Sequence, residues 1–145
     1  MTRDKPEPKT ETPVDTEVIR QEIHLNKARI QLGASGVARY VALPGADVSL
    51  RDAEEIHHAV VALYAGSIHP LLVDIREVKA ISREARKFFA SPAAADTTCA
   101  VALLVGSPVS RTIGNFFVSL NKPNFPVRLF TDESEAKAWL QEYLG

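Results

Sequence analysis

The sequence predicts an α/β protein: one domain with the order β-β-α-β-α-β-α-β-α, a mostly parallel sheet and an antiparallel hairpin at its start. Three observations carry that expectation. Two short runs near the start, KARIQL and VARYVAL, are joined by Gly33-Ala-Ser-Gly36, a link short enough only for antiparallel neighbours. After them, helix-spaced and strand-like apolar patterns alternate, which implies parallel strands with crossover helices. The run CAVALLV, 99–105, is apolar without interruption, as a central strand covered on both faces should be. A length of 145 residues fits one domain with one core.

Each element has its own signal. Residues 1–17 hold eight charged side chains and three prolines, so they cannot bury enough surface to offset ordering and are expected to form a flexible tail. The folded domain is expected over 18–145. In KARIQL, Ala28, Ile30 and Leu32 alternate with Lys27, Arg29 and Gln31, giving a strand with one wet face. Ser49 caps the first helix with Asp52 at capping-box spacing, Ala53, Ile56, Val60 and Leu63 form its buried stripe, and Gly66 ends it. Pro70 opens the strand LLVDI. Residues 82–91 read as a short helix, stopped by Ser91-Pro92. Ser107-Pro108 starts the third helix, whose Val109, Ile113, Phe116 and Leu120 are expected in the core, with Phe117 outside that stripe. Gly114 would let another surface approach that helix closely. VRLF, 127–130, is the last strand. Thr131 caps the last helix, and Ala136, Trp139, Leu140 and Tyr143 supply its buried face.

Composition narrows the function. A net charge of −1 argues against a general nucleic-acid binder, though not against a local basic patch. The single cysteine, Cys99, lies in an apolar run and reads as a small buried hydrophobe. The start of the chain has no apolar segment for a signal peptide, and the apolar run 99–105 is far short of the roughly 20 residues a membrane span needs. A soluble cytoplasmic protein is expected.

Catalytic constellations are missing. His57 and His58 are adjacent, whereas helical zinc ligands want i, i+4 spacing, so no metal is expected. There is no nucleophile elbow and no phosphate loop. Gly106-Ser107-Pro108 opens a helix that a bound anion would suit, but capping explains the same residues and Pro108 removes a donor. Neither an enzyme nor a cofactor is expected.

The stretch 73–89, VDIREVKAISREARKFF, is the most informative. Between Arg76 and Lys87 it carries five basic and two acidic residues on a chain of net charge −1. Ser82 reads as the N-cap of the helix that follows. The run LLVDIREVKAISREA resembles the signature of STAS domains, the SpoIIAA-like fold of sulfate-transporter tails and bacterial anti-sigma-factor antagonists. Val73 to Ile75 match its strand, and Val78 and Ile81 its apolar anchors. The C-terminal part from Val101 to Leu140 is similar to small bacterial STAS/SEC14-type proteins of undefined role. The resemblance spans about 120 residues.

That resemblance implies a regulatory signalling module without catalysis, binding a protein partner through the loop and helix after the third strand. The residues so implicated are Ser82, Arg83, Glu84, Arg86, Lys87 and Phe88, and the basic ones would suit an acidic partner. Where antagonists carry Asp-Ser-Ser-Gly, this chain has Ser82-Arg83-Glu84-Ala85, so the phosphoacceptor position falls on Glu84. Glutamate is a fixed charge and a partial mimic of phosphoserine, which carries about −1.5 to −2. Ser82, at the helix start, is the alternative phosphorylation site. The other reading is a small-molecule or lipid carrier, because SEC14-type relatives bind apolar ligands on one sheet face. The hairpin edge Lys27 to Leu32 leaves homodimerisation open, since Lys27 and Arg29 equally suit a protected edge.

Overall fold

The computed structural model describes residues 18–95, 97–121 and 125–144; the expected tail, 1–17, lies outside them. Six strands form the main sheet: β1 Ile19–His24, β2 Ala28–Gly33, β3 Ala38–Ala42, β5 His69–Asp74, β7 Thr98–Leu104 and β8 Val127–Phe130, in that spatial order. The pairs β1/β2 and β2/β3 are antiparallel, and every later pair is parallel. Two very short strands, β4 Asp47–Val48 and β6 Ala80–Ile81, pair in parallel beside it. The helices are α1 Leu50–Tyr64, α2 Arg83–Phe89, α3 Pro92–Ala95, α4 Pro108–Phe116 and α5 Glu133–Gln141, with a π-helical turn Phe117–Asn121 continuing α4.

Period-two alternation along the strands divides the core in two. Ile30, Tyr40, Val101 and Leu103 face a cluster completed by Ile56, Val60, Leu63, Ala85 and Phe117, so α1, α2 and α4 cover this side. Leu72, Ala100, Ala102 and Leu104 face the other cluster, closed by Ala136 and Leu140 of α5. β7 is thus covered on both sides, as its unbroken apolar run requires.

Local signals place the helix starts. Ser49 and Asp52 form the capping box of α1, and Lys27 Nζ lies 2.9 Å from Asp52 Oδ2. Burial acts to raise the Asp52 pKa, but hydrogen bonds from Ser49 and Lys27 outweigh it and hold the carboxyl below its usual range. Ser107 Oγ accepts from Ser110 N at 3.0 Å, while Ser110 Oγ accepts from Gly106 N and Ser107 N at 2.9 Å each. The Gly106, Ser107 and Ser110 amides that an anion would use there already donate to the two serine hydroxyls, so capping accounts for Ser107.

Five sequence expectations need correction. The sheet edge on the hairpin side is β1, not Lys27 to Leu32, which is sandwiched between β1 and β3. β1 buries almost nothing beyond half-buried Ile23, so its apolar pattern is faint. In α4 the buried residues are Ser110 and Gly114, followed by Phe117; Val109 is 47 % exposed and Phe116 37 % exposed. A Cβ on Gly114 would stand 2.8 Å from Leu129 Cδ2 and 3.1 Å from Val105 Cγ1, so the helix meets the sheet along its smallest side chains. The side chain of Leu120 lies outside the described residues. The cap of α5 is Asp132, which accepts from Ser134 N at 2.8 Å, one residue after Thr131. The helix α1 turns left-handed at Ala65 (φ 50°), before Gly66 (φ 88°). Cys99 is half-buried, its Sγ 3.9 Å from the Tyr143 carbonyl, and burial pushes its thiol pKa up.

Candidate functional site

The segment after β5 is anchored at its root by charge. Asp74 Oδ1 accepts from Arg76 N at 3.1 Å and Nε at 3.0 Å, and Oδ2 accepts from Arg76 Nη2 at 2.7 Å and Arg39 Nη2 at 3.2 Å. Glu133, the first residue of α5, accepts from Arg39 and, at 3.4 Å, from Arg76. The hydrogen bond to Asp74 raises the Arg76 pKa against the opposing effect of burial. Two cations and two carboxylates thus tie β3, β5 and α5 together.

From this root the chain crosses to α2. β6 pairs with β4, and Ser82 N donates to Val48 O at 2.9 Å, which sets the direction of α2. Ser82 Oγ accepts from Ala85 N at 3.0 Å, the N-cap expected from the sequence. With only seven residues, α2 depends heavily on that bond. Ser82→Ala is expected to lower stability by about 1 kcal/mol, read as a shift in urea midpoint at constant m. A midpoint unchanged from wild type would show the cap to be dispensable.

The other implicated residues divide by environment. Arg83, Glu84 and Lys87 are exposed. Phe88 is half-buried, its ring 5.6 Å from that of His57 on α1 and 6.0 Å from that of Phe89. Arg86 is half-buried: its guanidinium carbon lies 3.9 Å from the Phe116 ring centroid, and Nε donates to Ile81 O at 3.4 Å. Its pKa is lowered, first by burial and then by Arg83.

Arg86 separates two concavities. Outside it, an open groove of about 450 Å³ runs between β6, α2 and α4, lined by Lys79, Ile81, Val109, Ile113 and Phe116. Inside it, a mainly apolar cavity of about 80 Å³ lies between the sheet and α1, α2 and α4. Arg86, Ile81 and Ile113 belong to both.

Neither concavity was read from the sequence. A tyrosine at the inward position of VARYVAL was the available signal for the cavity, because a buried phenol needs a partner for its hydroxyl. Among the described residues, no group of three or more His, Cys, Asp or Glu is placed to hold a metal ion, and no helix is long and apolar enough to cross a membrane.

This sheet order, with helices on both faces and an antiparallel start, defines a SpoIIAA-like α/β domain. The chain is similar to the crystal structure of an uncharacterized protein from the DUF3478 family with a SpoIIAA-like fold, from Shewanella loihica PV-4. The TM-score is 0.52 at 15 % identity, over 92 % of this chain and 99 % of that one. A protein of unknown function from Arthrobacter sp. FB24 is 34 % identical over 82 % of this chain and 96 % of that one, with a TM-score of 0.31. Residues 31–144 match the family described as a domain of unknown function, DUF7793, and the chain belongs to that family. No match is found among curated proteins.

Proposed function

We propose that this is a non-catalytic regulatory module that docks an acidic protein segment with an apolar anchor onto α2 and the groove between α2, β6 and α4. The carrying observation is the exposure of Val109 and Phe116. Apolar residues at helical spacing normally pack inward, yet here they line an open groove together with Lys79 and Arg86. Arg83 and Lys87 add exposed positive charge on the same helix, which favours an acidic partner by steering and by charge complementarity. Phe116, held against the Arg86 guanidinium, is the candidate anchor contact.

In the SpoIIAA-like antagonists that the sequence resembles, the residue at the Glu84 position is a phosphoacceptor. Exposed Glu84 places a permanent single charge there, so the surface would not be switched at that residue. Control would fall to Ser82. A phosphate on Ser82 would replace the cap hydroxyl with a dianion at the start of α2, near Arg83. Intact mass of the protein from its own cells, showing no phosphorylated species under any growth condition, would remove Ser82 from the reading.

The carrier reading is not favoured by size. Cargo sites usually enclose about 300–1,000 Å³, and the apolar cavity is about 80 Å³.

The test is crosslinked capture of partners from the native cell, comparing wild type with Arg83→Glu/Lys87→Glu and with Val109→Asp. An acidic protein captured by wild type should be lost with both variants. Binding of the purified partner should weaken with salt in wild type and lose most of that dependence in the charge-reversed variant. Capture that is indifferent to both variants would overturn the reading.

A further inference from the structure

We propose that the cavity between the sheet and α1, α2 and α4 is a binding site for a small monocarboxylate with an apolar body, its carboxylate held by Tyr40 and Arg86. This site shares Ile81, Arg86 and Ile113 with the docking groove, but it does not depend on the docking reading.

Two unmade hydrogen bonds point to it. Tyr40 is 3 % exposed, and its hydroxyl has no hydrogen-bond partner among the described residues. Arg86 Nη1 is likewise buried and without a hydrogen-bond partner among the described residues. Both residues line this cavity. Buried polar side-chain atoms are seldom left unpaired, so two on residues lining one cavity mark a place where an acceptor belongs.

The chemistry of the acceptor follows from the donors. Arg86 offers N–H groups and a permanent positive charge, and Tyr40 offers an O–H. Among the described residues no carboxylate lies within ion-pair distance of Arg86: Glu84 acts on it only from farther off, and the guanidinium bonds the Ile81 carbonyl and lies over the Phe116 ring. A neutral acceptor would satisfy the hydrogen bonds but leave the charge unmatched, whereas a carboxylate does both and has the planar shape a guanidinium prefers. A phosphate carries more charge into walls made of Ile56, Val73, Leu103 and Phe89. Those walls instead suit a hydrocarbon body.

Size limits the ligand. The cavity holds roughly five to eight times the space that one water requires, so the ligand has about that many heavy atoms. Hexanoate fits this limit; a full-length fatty acid does not.

The experiment is calorimetric titration of the full chain with sodium hexanoate and, separately, with 1-hexanol. Hexanoate is expected to saturate a single site with a Kd between about 10 µM and 1 mM, at least about tenfold tighter than hexanol. Tyr40→Phe should weaken hexanoate about three- to tenfold while leaving the melting temperature equal to wild type or higher, because the unpaired hydroxyl is gone. Arg86→Met should weaken it by more than about tenfold, and Arg86→Lys should fall between, keeping the charge but losing the fork.

The proposal is overturned by any of three results: no saturation at about 10 mM, equal affinity for hexanol, or hexanoate affinity unchanged in Tyr40→Phe. If Arg86→Met does not fold, the hexanol comparison and Tyr40→Phe still decide. A crystal soaked in hexanoate whose cavity shows only water on Tyr40 Oη would also overturn it. No partner protein enters these measurements, so their failure leaves the docking surface untouched, and the reverse.

Discussion

Asp74→Ala is expected to lower stability by about 2–3 kcal/mol, because it removes a buried carboxylate from a part-buried ionic cluster and leaves two guanidinium groups with one counter-charge. The Asp74 side chain is 7 % exposed, and both its oxygens are engaged by Arg39 and Arg76. Without it, two guanidinium groups share the single carboxylate of Glu133. The effect should appear as a lower urea midpoint with m unchanged. The double variant Asp74→Ala/Arg39→Met should lose less than the sum of its parts, since removing the cation relieves the unpaired charge. A loss under about 1 kcal/mol for Asp74→Ala would show that water reaches the cluster and that it behaves as a surface pair. The cluster bears on the proposed docking surface because it fixes the end of β5, from which the chain leads through β6 to α2.

Gly114→Val is expected to cost about 3 kcal/mol by overpacking. Its Cβ alone would meet Leu129 and Val105 inside ordinary contact distance, and valine adds two further methyl groups to that contact. Gly114→Ala is the graded control. It gains about 1 kcal/mol of helix propensity but must displace Leu129, so a net loss near 1 kcal/mol is expected. Thermal and urea melts give the ranking, and an alanine variant more stable than wild type would show that the sheet yields easily at this contact. Any variant that lifts α4 from the sheet also moves Val109 and Phe116, so partner capture should weaken along with stability.

These two sites show which parts of the molecule were legible in advance. Helix starts were legible because a cap is a contact between residues three apart: Ser49 with Asp52, Ser82 with Ala85 and Ser107 with Ser110 all sit where spacing puts them. The cap of α5 slipped by one residue because Thr131 and Asp132 are both competent, and only the approach of the Ser134 amide selects between them. Strand β1 was missed because an edge strand with one half-buried isoleucine writes little into the hydrophobic pattern. The pair β4/β6 was missed because two residues are too few to show a period.

The exposed face of α4 was misread for a more general reason. Apolar periodicity says that a helix has a face, and the usual inference is that this face turns inward. Here close approach to the sheet is made by Ser110 and Gly114, and the bulkier Val109 and Phe116 are left outside. Those residues now carry the functional reading, together with the charges on α2.

By itself the sequence determined the α/β class, the principal strands and helices in order, the capped start of α2 and the concentration of positive charge around it. All of these rest on contacts within a few residues or on composition, which the chain carries wherever it folds. Only the tertiary structure decided that Arg86 lies between a groove and a cavity, that Tyr40 shares that cavity, and that Asp74 and Glu133 share two arginines. Each of those facts joins residues far apart in the chain, and it is packing of the helices on the sheet that brings them together.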